Sequence, residues 1–378
     1  MGKDYSGPAG SSGTMRAPPG LWERMPFHPA STTVCVTGAN GFIGSYLCRD
    51  LLLQGFTVRG TVRDPNNDTK TAHLVQMAQE VGAEDRFSLA RGDLLEAGSF
   101  DDAIAGCDAV FHTAAAVFFA AKDPQKDIVD PSVQGTRNVL DSARKAGTVK
   151  RFVHTSSMVA IYGWNQPKGH VFSETDWNTS STLEVDPYGV AKVEAEKSAV
   201  AYVKDLPEDE RFELVHLNPG MVWGPPLIKA HAKASPKLVR DVISRSQPGV
   251  PKLMLSVVDV RDVSAAHIAA LQSDDPPDRC LVFAENVWMP DAMKQLQQLF
   301  PDVKMGVRTI PKPVVLLASL MDENLNTKQL NALVGRDLPM DNARSRAAYG
   351  LTYRPLVDTL RDTAAPMINN GWARVKRR

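Results

Sequence analysis

The sequence has few cysteines and no excess charge of either sign. Four cysteines are spread over 378 residues with no Cys-x-x-Cys pair or Cys/His cluster, so neither a disulfide framework nor a metal site is predicted. Lysine and arginine together number 43, as do aspartate and glutamate, and the formal net charge is +0. A neutral chain has no broad attraction for nucleic acid or an anionic membrane, and neither is expected as a partner.

Long hydrophobic runs are also missing. No stretch approaches the ~20 apolar residues that span a bilayer. Residues 1–31 are rich in Gly, Pro and Ser and lack the apolar segment of a secretory signal. We therefore predict a disordered tail over 1–31 and a cytoplasmic protein with reduced thiols. The first six residues fit the N-myristoylation pattern Met-Gly-x-x-x-Ser, and the role of the tail stays open.

The rest of the chain is organised around a glycine-rich turn. A short apolar run ends at Thr37, and a helical pattern of leucines follows Gly44. Such a strand–turn–helix begins a dinucleotide-binding fold, whose helix N-terminus offers free N–H groups to a pyrophosphate. The glycines allow a sharp turn, close approach of the phosphates and tight packing of the helix. The predicted cofactor contacts here are Thr37, Gly38, Asn40, Gly41, Phe42, Ile43 and Gly44.

The residue after the second predicted strand indicates which dinucleotide binds. Chains that bind NAD carry an acid about 20 residues past the last glycine, where it holds the ribose 2′-OH. This chain has Arg63 there, after a strand predicted over 57–62. A guanidinium can bind the 2′-phosphate of NADP with two hydrogen bonds. The sequence therefore predicts NADP(H), although Asp64 is adjacent.

A tyrosine and a lysine at helical spacing form the predicted catalytic centre. A strand over 151–155 leads to hydroxyl residues ending at Ser157, and Asp186 is the N-cap of a new helix. Residues four apart share a helical face, so Tyr188 and Lys192 are expected to face one cleft. An ammonium beside a phenol favours the ionised phenol. Tyr188 is therefore predicted to protonate a carbonyl oxygen while hydride reaches the carbon.

These segments resemble a known family. T-G-A-N-G-F-I-G, V-R-G-T-V-R-D-P and Y-x-x-x-K are similar to the extended short-chain dehydrogenase/reductases, or NAD-dependent epimerase/dehydratase superfamily. The resemblance is greatest to the group of dihydroflavonol, cinnamoyl-CoA and aldehyde reductases. The loop N-P-G-M-V-W-G-P-P at 218–226 resembles that of cinnamoyl-CoA reductases. The similarity is strong over about 32–265 and weak beyond.

The resemblance implies roles for further residues. It assigns catalysis to Ser157, Tyr188 and Lys192, and places Tyr188 and Lys192 at the cofactor as well. Its other implied cofactor contacts are Arg63, Lys70, Asp93, Leu94, Pro219, Met221 and Val222. Small residues at the end of the fourth strand, Thr113, Ala114 and Ala115, leave room for a cofactor. Relatives carry a proton-relay asparagine where this chain has Ser132, and His112 is predicted to be a core residue.

The predicted fold is α/β: a Rossmann-type doubly wound parallel sheet with a smaller C-terminal α/β substrate-binding part. The NADP-binding domain is predicted over 32–226, and a strand and helix near 253–272 are expected to return to it. Residues 227–378 are predicted to be mainly a cap. Within it, Leu317, Met321, Leu325 and Leu330 are expected to line a core or pocket.

The predicted function is NADP(H)-dependent reduction of a carbonyl on a small molecule, an aldehyde, ketone or dihydroflavonol-like compound, by an oxidoreductase acting on CH–OH groups. Alternatives left open are a 3β-hydroxysteroid dehydrogenase-like enzyme, a sugar-nucleotide epimerase and a non-catalytic NADP-sensing protein. Arg63 disfavours the epimerase, and the retained tyrosine and lysine disfavour the sensor. The substrate, the physiological direction and the choice between monomer and homodimer stay open.

Overall fold

The computed structural model describes residues 27–115, 123–321 and 325–378. The strands are β1 (Thr33–Thr37), β2 (Thr57–Val62), β3 (Phe87–Arg91), β4 (Ala109–His112), β5 (Arg151–Thr155), β6 (Glu213–Pro219), β7 (Met221–Trp223), β8 (Val250–Pro251), β9 (Met254–Asp259), β10 (Arg279–Val282), β11 (Glu285–Trp288) and β12 (Thr309–Ile310).

The helices are α1 (Phe42–Gln54), α2 (Asp68–Glu80), α3 (Asp101–Ile104), α4 (Asp130–Ala146), α5 (Pro187–Asp205), α6 (Lys237–Ser244), α7 (Val260–Gln272), α8 (Met289–Leu299), α9 (Lys312–Ser319), α10 (Thr327–Leu333), α11 (Ala343–Tyr349) and α12 (Leu356–Asn369).

Seven parallel strands form the main sheet, in the order β10-β6-β5-β4-β1-β2-β3. From β3 to β6 this is the strand order of dinucleotide-binding folds. Parallel strands covered on both faces need apolar side chains on both, and β1 meets this requirement: Val34 and Val36 belong to one core cluster and Cys35 to another. The predicted Rossmann-type fold class is confirmed.

Helices cover the two faces of this sheet. The cluster that contains Val34 and Val36 includes residues of α1 and α7, which pack against each other. The cluster that contains Cys35 includes residues of α3, α4 and α5. Helix α5 packs against α4 and against the turn Met158–Ala160, which follows the carboxyl end of β5.

The C-terminal part has its own smaller sheets and core. The order β11-β9-β7 makes one sheet and β12-β8 another, and α6, α8 and α12 pack around Trp223, Leu255 and Met293. The strand predicted near 253 therefore does not join the main sheet; β9 pairs with β7 instead. Helix α7 does pack on the Rossmann core, and β10, within the predicted cap, adds the seventh strand beside β6.

The N-terminal segment and the cap differ from the sequence predictions. Residues 1–26 of the predicted tail lie outside the described residues, but Phe27 is only 4% exposed and the Arg151 guanidinium lies 5.1 Å from its ring centroid. The folded part therefore begins before residue 32. In the cap, Leu317, Met321 and Leu325 are 63%, 86% and 42% exposed. These three residues therefore do not belong to a core, and the alternative that they line a pocket stays a prediction. No helix among the described residues is long and apolar enough to cross a membrane.

Candidate active site

The glycine turn between β1 and α1 combines two structural glycines with one that faces outward. Gly38 has φ +67°, and a Cβ on it would lie 2.9 Å from Ala114 Cα. A Cβ on Gly44 would lie 2.4 Å from the Gly38 carbonyl oxygen. Gly41 is exposed and has φ −77°, and its added Cβ would meet only the Gly38 oxygen, at 3.1 Å. The fold itself requires Gly38 and Gly44, whereas Gly41 leaves the backbone open to a ligand.

The N-terminus of α1 meets the requirements of a phosphate site. Gly41 is the N-cap and provides no side-chain cap, and the first turn carries no acidic residue. The first N–H groups of the helix, on Phe42, Ile43 and Gly44, point out of its end, where the helix dipole favours an anion. Asn40 is held from the other side, where its carbonyl oxygen lies 3.2 Å from His231 Nε2. These residues fit a dinucleotide pyrophosphate.

Two cationic side chains, those of Arg63 and Lys70, follow β2. Arg63 comes directly after the strand and Lys70 lies in the first turn of α2. Both are exposed, and neither side chain makes a hydrogen bond or ion pair with the residues that the structure describes. Arg59, by contrast, donates to carbonyl oxygens of Asp102, Ala103 and Ala105. Arg63 and Lys70 therefore remain available for a phosphate.

Further predicted cofactor contacts lie at the carboxyl ends of β1, β3 and β4. Thr113 Oγ1 donates to the Thr37 carbonyl oxygen at 2.6 Å, and Thr37 Oγ1 accepts from Ala114 N at 3.2 Å. These bonds join β1 to β4 at the point where Ala114 and Ala115 keep the cleft open. In the loop after β3, the Asp93 carboxylate accepts from Leu95 N at 3.0 Å, and Leu94 packs on Gly135 of α4.

Of the three predicted catalytic residues, Tyr188 and Lys192 lie on α5 and Ser157 follows the end of β5. Lys192 Nζ lies 5.9 Å from the centroid of the Tyr188 ring. The N-cap Asp186 accepts from Gly189 N at 3.1 Å and thereby fixes the first turn that carries Tyr188. Ser157 Oγ accepts from Val159 N at 3.3 Å. Ser157, Tyr188 and Lys192 are all half-buried.

The loop after β6 continues along the same edge of the sheet. Pro219 is the last residue of β6, and Met221 and Val222 begin β7. Gly220 joins the two strands, and a Cβ there would lie 2.1 Å from the Ser256 carbonyl oxygen. Pro219 and Val222 are buried while Met221 is half-buried. The close approach to β9 fixes this segment beside the cleft.

A buried network behind the site was missed by sequence reasoning. Glu196, one turn past Lys192, is fully buried, accepts from Ser156 Oγ at 2.5 Å and from Asn218 Nδ2 at 2.9 Å, and pairs with Arg279. Asn218 also donates to the Ser157 carbonyl oxygen at 3.1 Å. The continued four-residue spacing on α5 could have indicated Glu196. Nothing local indicated Arg279, which comes from β10.

Neutral histidines lie beneath Lys192. Burial lowers the pKa of His112 to about 3, and the positive charge of Lys192 contributes. The pKa of His154 is held well below its ordinary value by burial, neighbouring histidines and Lys192. Both imidazoles therefore carry no charge at neutral pH. Among the described residues, no group of three or more His, Cys, Asp or Glu side chains is placed to hold a metal ion.

The sheet order, the glycine turn and the Tyr/Lys pair together define a short-chain dehydrogenase/reductase of the extended type. A model of the NAD dependent epimerase/dehydratase family matches residues 34–282, and the chain belongs to this family.

Several proteins that this chain resembles are reductases. Cinnamoyl-CoA reductase CAD2 of Medicago truncatula is 36% identical over 279 residues, 72% of this chain and 82% of that protein. A putative anthocyanidin reductase of Ginkgo biloba is 34% identical over 311 residues, 77% of this chain and 89% of that protein. Yeast methylglyoxal/isovaleraldehyde reductase Gre2, solved with NADPH, has a TM-score of 0.74 and 26% identity over 90% of this chain and 100% of that one.

Proposed function

We propose that this protein is an NADP(H)-dependent oxidoreductase that reduces the carbonyl group of a small hydrophobic molecule to an alcohol. The observation that carries the proposal is the Tyr188–Lys192 pair on α5, with Lys192 Nζ 5.9 Å from the Tyr188 ring centroid. Ser157 follows the end of β5. The cinnamoyl-CoA and anthocyanidin reductases among its relatives support the reaction class. The NADPH held by Gre2 supports the cofactor.

The cofactor would bind across the carboxyl edge of the sheet. The first N–H groups of α1 would hold the pyrophosphate, and Arg63 and Lys70 would bind the 2′-phosphate. Asp93 and Leu94 would border the adenine. The turn residues Thr37 to Gly44, the small residues Thr113 to Ala115, and Pro219, Met221 and Val222 would line the rest of the dinucleotide.

The proton chemistry belongs to α5 and β5. Bound NADPH supplies the hydride that the substrate carbon accepts. Ser157 Oγ already accepts from Val159 N, so its own proton is free to bind the carbonyl oxygen. Tyr188 donates its hydroxyl proton to that oxygen, and the Lys192 ammonium stabilises the phenolate that remains. Lys192 would also contact the hydroxyls of the nicotinamide ribose.

A panel of carbonyl compounds tests the proposed function. NADPH consumption would be followed with aldehydes, ketones, dihydroflavonols and steroid ketones, and NADP⁺ reduction with hydroxysteroids. We expect carbonyl-dependent loss of NADPH with at least one class. Background rates throughout the panel would favour the non-catalytic NADP-sensing alternative, and turnover only with hydroxysteroids would favour the steroid dehydrogenase. A cytoplasmic location and a monomeric or homodimeric state stay predictions.

A further inference from the structure

Three histidines lie side by side on neighbouring strands of the main sheet. His112 of β4 is in register with His154 of β5, and His154 with His216 of β6, so the three side chains leave the same face. Their exposures are 2%, 3% and 2%. The His112 and His154 rings stack with centroids 5.3 Å apart. Burying an imidazole is energetically unfavourable unless its nitrogens find hydrogen-bond partners. The nitrogens of these three histidines therefore need such partners.

A small cavity lies between this row and the helices α4 and α5. Its volume is about 20 Å³, which is enough for one water molecule if two to four polar groups surround it. Its lining residues include His112 and His154 of the sheet, Lys192 of α5, and Ser132 and Thr136 of α4.

The hydrogen bonds around the cavity determine which atoms can face it. His112 Nδ1 is bonded to Thr37 Oγ1 at 2.8 Å, and His154 Nδ1 to His216 Nδ1 at 3.0 Å. Each of these two imidazoles therefore keeps Nε2 for the cavity. If both Nδ1 atoms carry the proton and donate, both Nε2 atoms are acceptors. Lys192, an ammonium, can only donate.

These atoms match the needs of a single buried water. A water can accept one hydrogen bond from Lys192 Nζ and donate one to each Nε2 of His112 and His154, which gives the roughly three bonds typical of buried water. We propose that a water molecule in this cavity links Lys192 to His112 and His154, and that the two histidines thereby position the Lys192 ammonium beneath Tyr188.

The low pKa values of the two histidines agree with this arrangement. Burial and the Lys192 charge keep both imidazoles neutral, and a neutral imidazole is needed for Nε2 to accept. A charged imidazole beside Lys192 would instead repel the ammonium. His112 and His154 are positioning residues here, because they act on the reaction only through Lys192.

The role of the water rests on the proposed function, so its test combines a structural and a kinetic measurement. A high-resolution crystal structure of the NADP⁺ complex should contain an ordered water about 3 Å from Lys192 Nζ and from Nε2 of both histidines. An empty or differently bonded cavity would overturn the proposal, whatever the enzyme's substrate. This outcome is independent of turnover.

The kinetic measurement compares substitutions of two buried histidines, His154 of β5 and His267 of α7. They lie on opposite sides of the main sheet. His154→Phe should lower kcat by on the order of 10-fold, because displacing a catalytic group by about 1 Å can cost more than that, while KM for the carbonyl stays the same. His154→Gln, whose amide can reach the place of Nε2, should recover most of the loss. His267→Phe is the matched control: His267 is also fully buried and hydrogen-bonded, but to Thr155 and Val263 on the α7 side.

The outcomes separate the two proposals. Equal kcat for His154→Phe and His267→Phe, or no recovery by His154→Gln, would overturn the positioning role. A Tyr188→Phe protein with the wild-type kcat would instead refute the proposed proton donor. The presence or absence of the water in the crystal structure would then still test the proposed water site.

Discussion

The exposed guanidinium of Arg63 determines the expected preference for NADPH over NADH. It follows β2 without a partner among the described residues, and a charge-assisted contact with phosphate is worth about 1.5–3 kcal/mol. Arg63→Asp would repel the 2′-phosphate and could accept from a ribose 2′-OH. We expect the kcat/KM ratio of NADPH to NADH to fall at least ~10-fold, measured by initial rates with each cofactor.

Arg308→Asp serves as the charge-matched control, because Arg308 is an exposed arginine of the C-terminal part. Its cofactor ratio should equal that of the wild type. Equal use of NADPH and NADH by the unmodified protein would refute the assignment of Arg63 to the 2′-phosphate.

At single residues, the sequence could identify groups that act through local spacing. Tyr188 and Lys192 are four apart on one helix, and Gly38 and Gly44 lie in one turn, so short-range patterns were enough to place the members of each pair near one another. Arg279 meets Glu196 from a strand 83 residues away. The row of His112, His154 and His216 depends on strand order and register, and only the folded sheet makes these residues neighbours.

Helix α5 carries both the predicted catalytic pair and the buried carboxylate of Glu196. Breaking a buried ion pair leaves an uncompensated charge and costs about 3–5 kcal/mol. Arg279→Met should therefore lower the free energy of unfolding by about 3 kcal/mol or more, measured by urea denaturation. Loss of turnover should accompany it, since Asn218 connects Glu196 to the Ser157 backbone.

The control for this prediction is Arg377→Met, which removes the exposed pair between Arg377 and Asp302. Exposed pairs contribute about 0–1 kcal/mol, so this variant should be nearly as stable as the wild type. Similar destabilisation by both substitutions would show that burial does not determine the effect.

Glycine and proline mark several of the helix boundaries. Gly55 and Gly147 end α1 and α4 with positive φ, and Pro187 begins α5 behind its Asp186 cap. The cap offered weaker signals. In α9, an eight-residue helix, apolar residues occur all round, so the pattern does not tell which side is covered, and Leu317 proved to be exposed.

For the whole molecule, buried neutral histidines predict sensitivity to acid. Burial lowers the pKa of His112 to about 3 and those of His231 and His267 to about 4, against an ordinary value of 6.5. As the pH falls below 6.5, the unfolded chain takes up protons that the folded protein does not. The contribution of these histidines to stability is therefore complete above pH 6.5 and declines as pH falls toward 4.

His267→Gln should flatten this decline. The variant lacks one titrating group, so its unfolding takes up about one proton fewer in this pH range. The slope of the free energy of unfolding against pH should therefore be smaller by about 1.4 kcal/mol per pH unit where the unfolded histidine is charged and the folded one is not. Urea denaturation of wild type and variant at several pH values between 6.5 and 4.5 would measure the difference. Parallel stability curves would contradict the assignment of the acid sensitivity to His267.

The fold class of the whole molecule was predictable because a glycine corner and the alternation of strands and helices specify a doubly wound sheet. The way the C-terminal part joins it was not. Strand β9 pairs with β7 because Gly220 permits their close approach, and β10 returns to β6. Both outcomes depend on contacts between segments distant in sequence, which no local pattern encodes.

Turnover by the Tyr188→Phe protein tests most directly whether the Tyr188 hydroxyl supplies the proton. With a carbonyl that the wild type reduces, kcat of the variant should fall by about 100-fold or more, while its affinity for NADPH and its melting temperature stay the same, since only a half-buried hydroxyl is removed. A Tyr188→Phe protein that reduces the same carbonyl at the wild-type rate would contradict the mechanism.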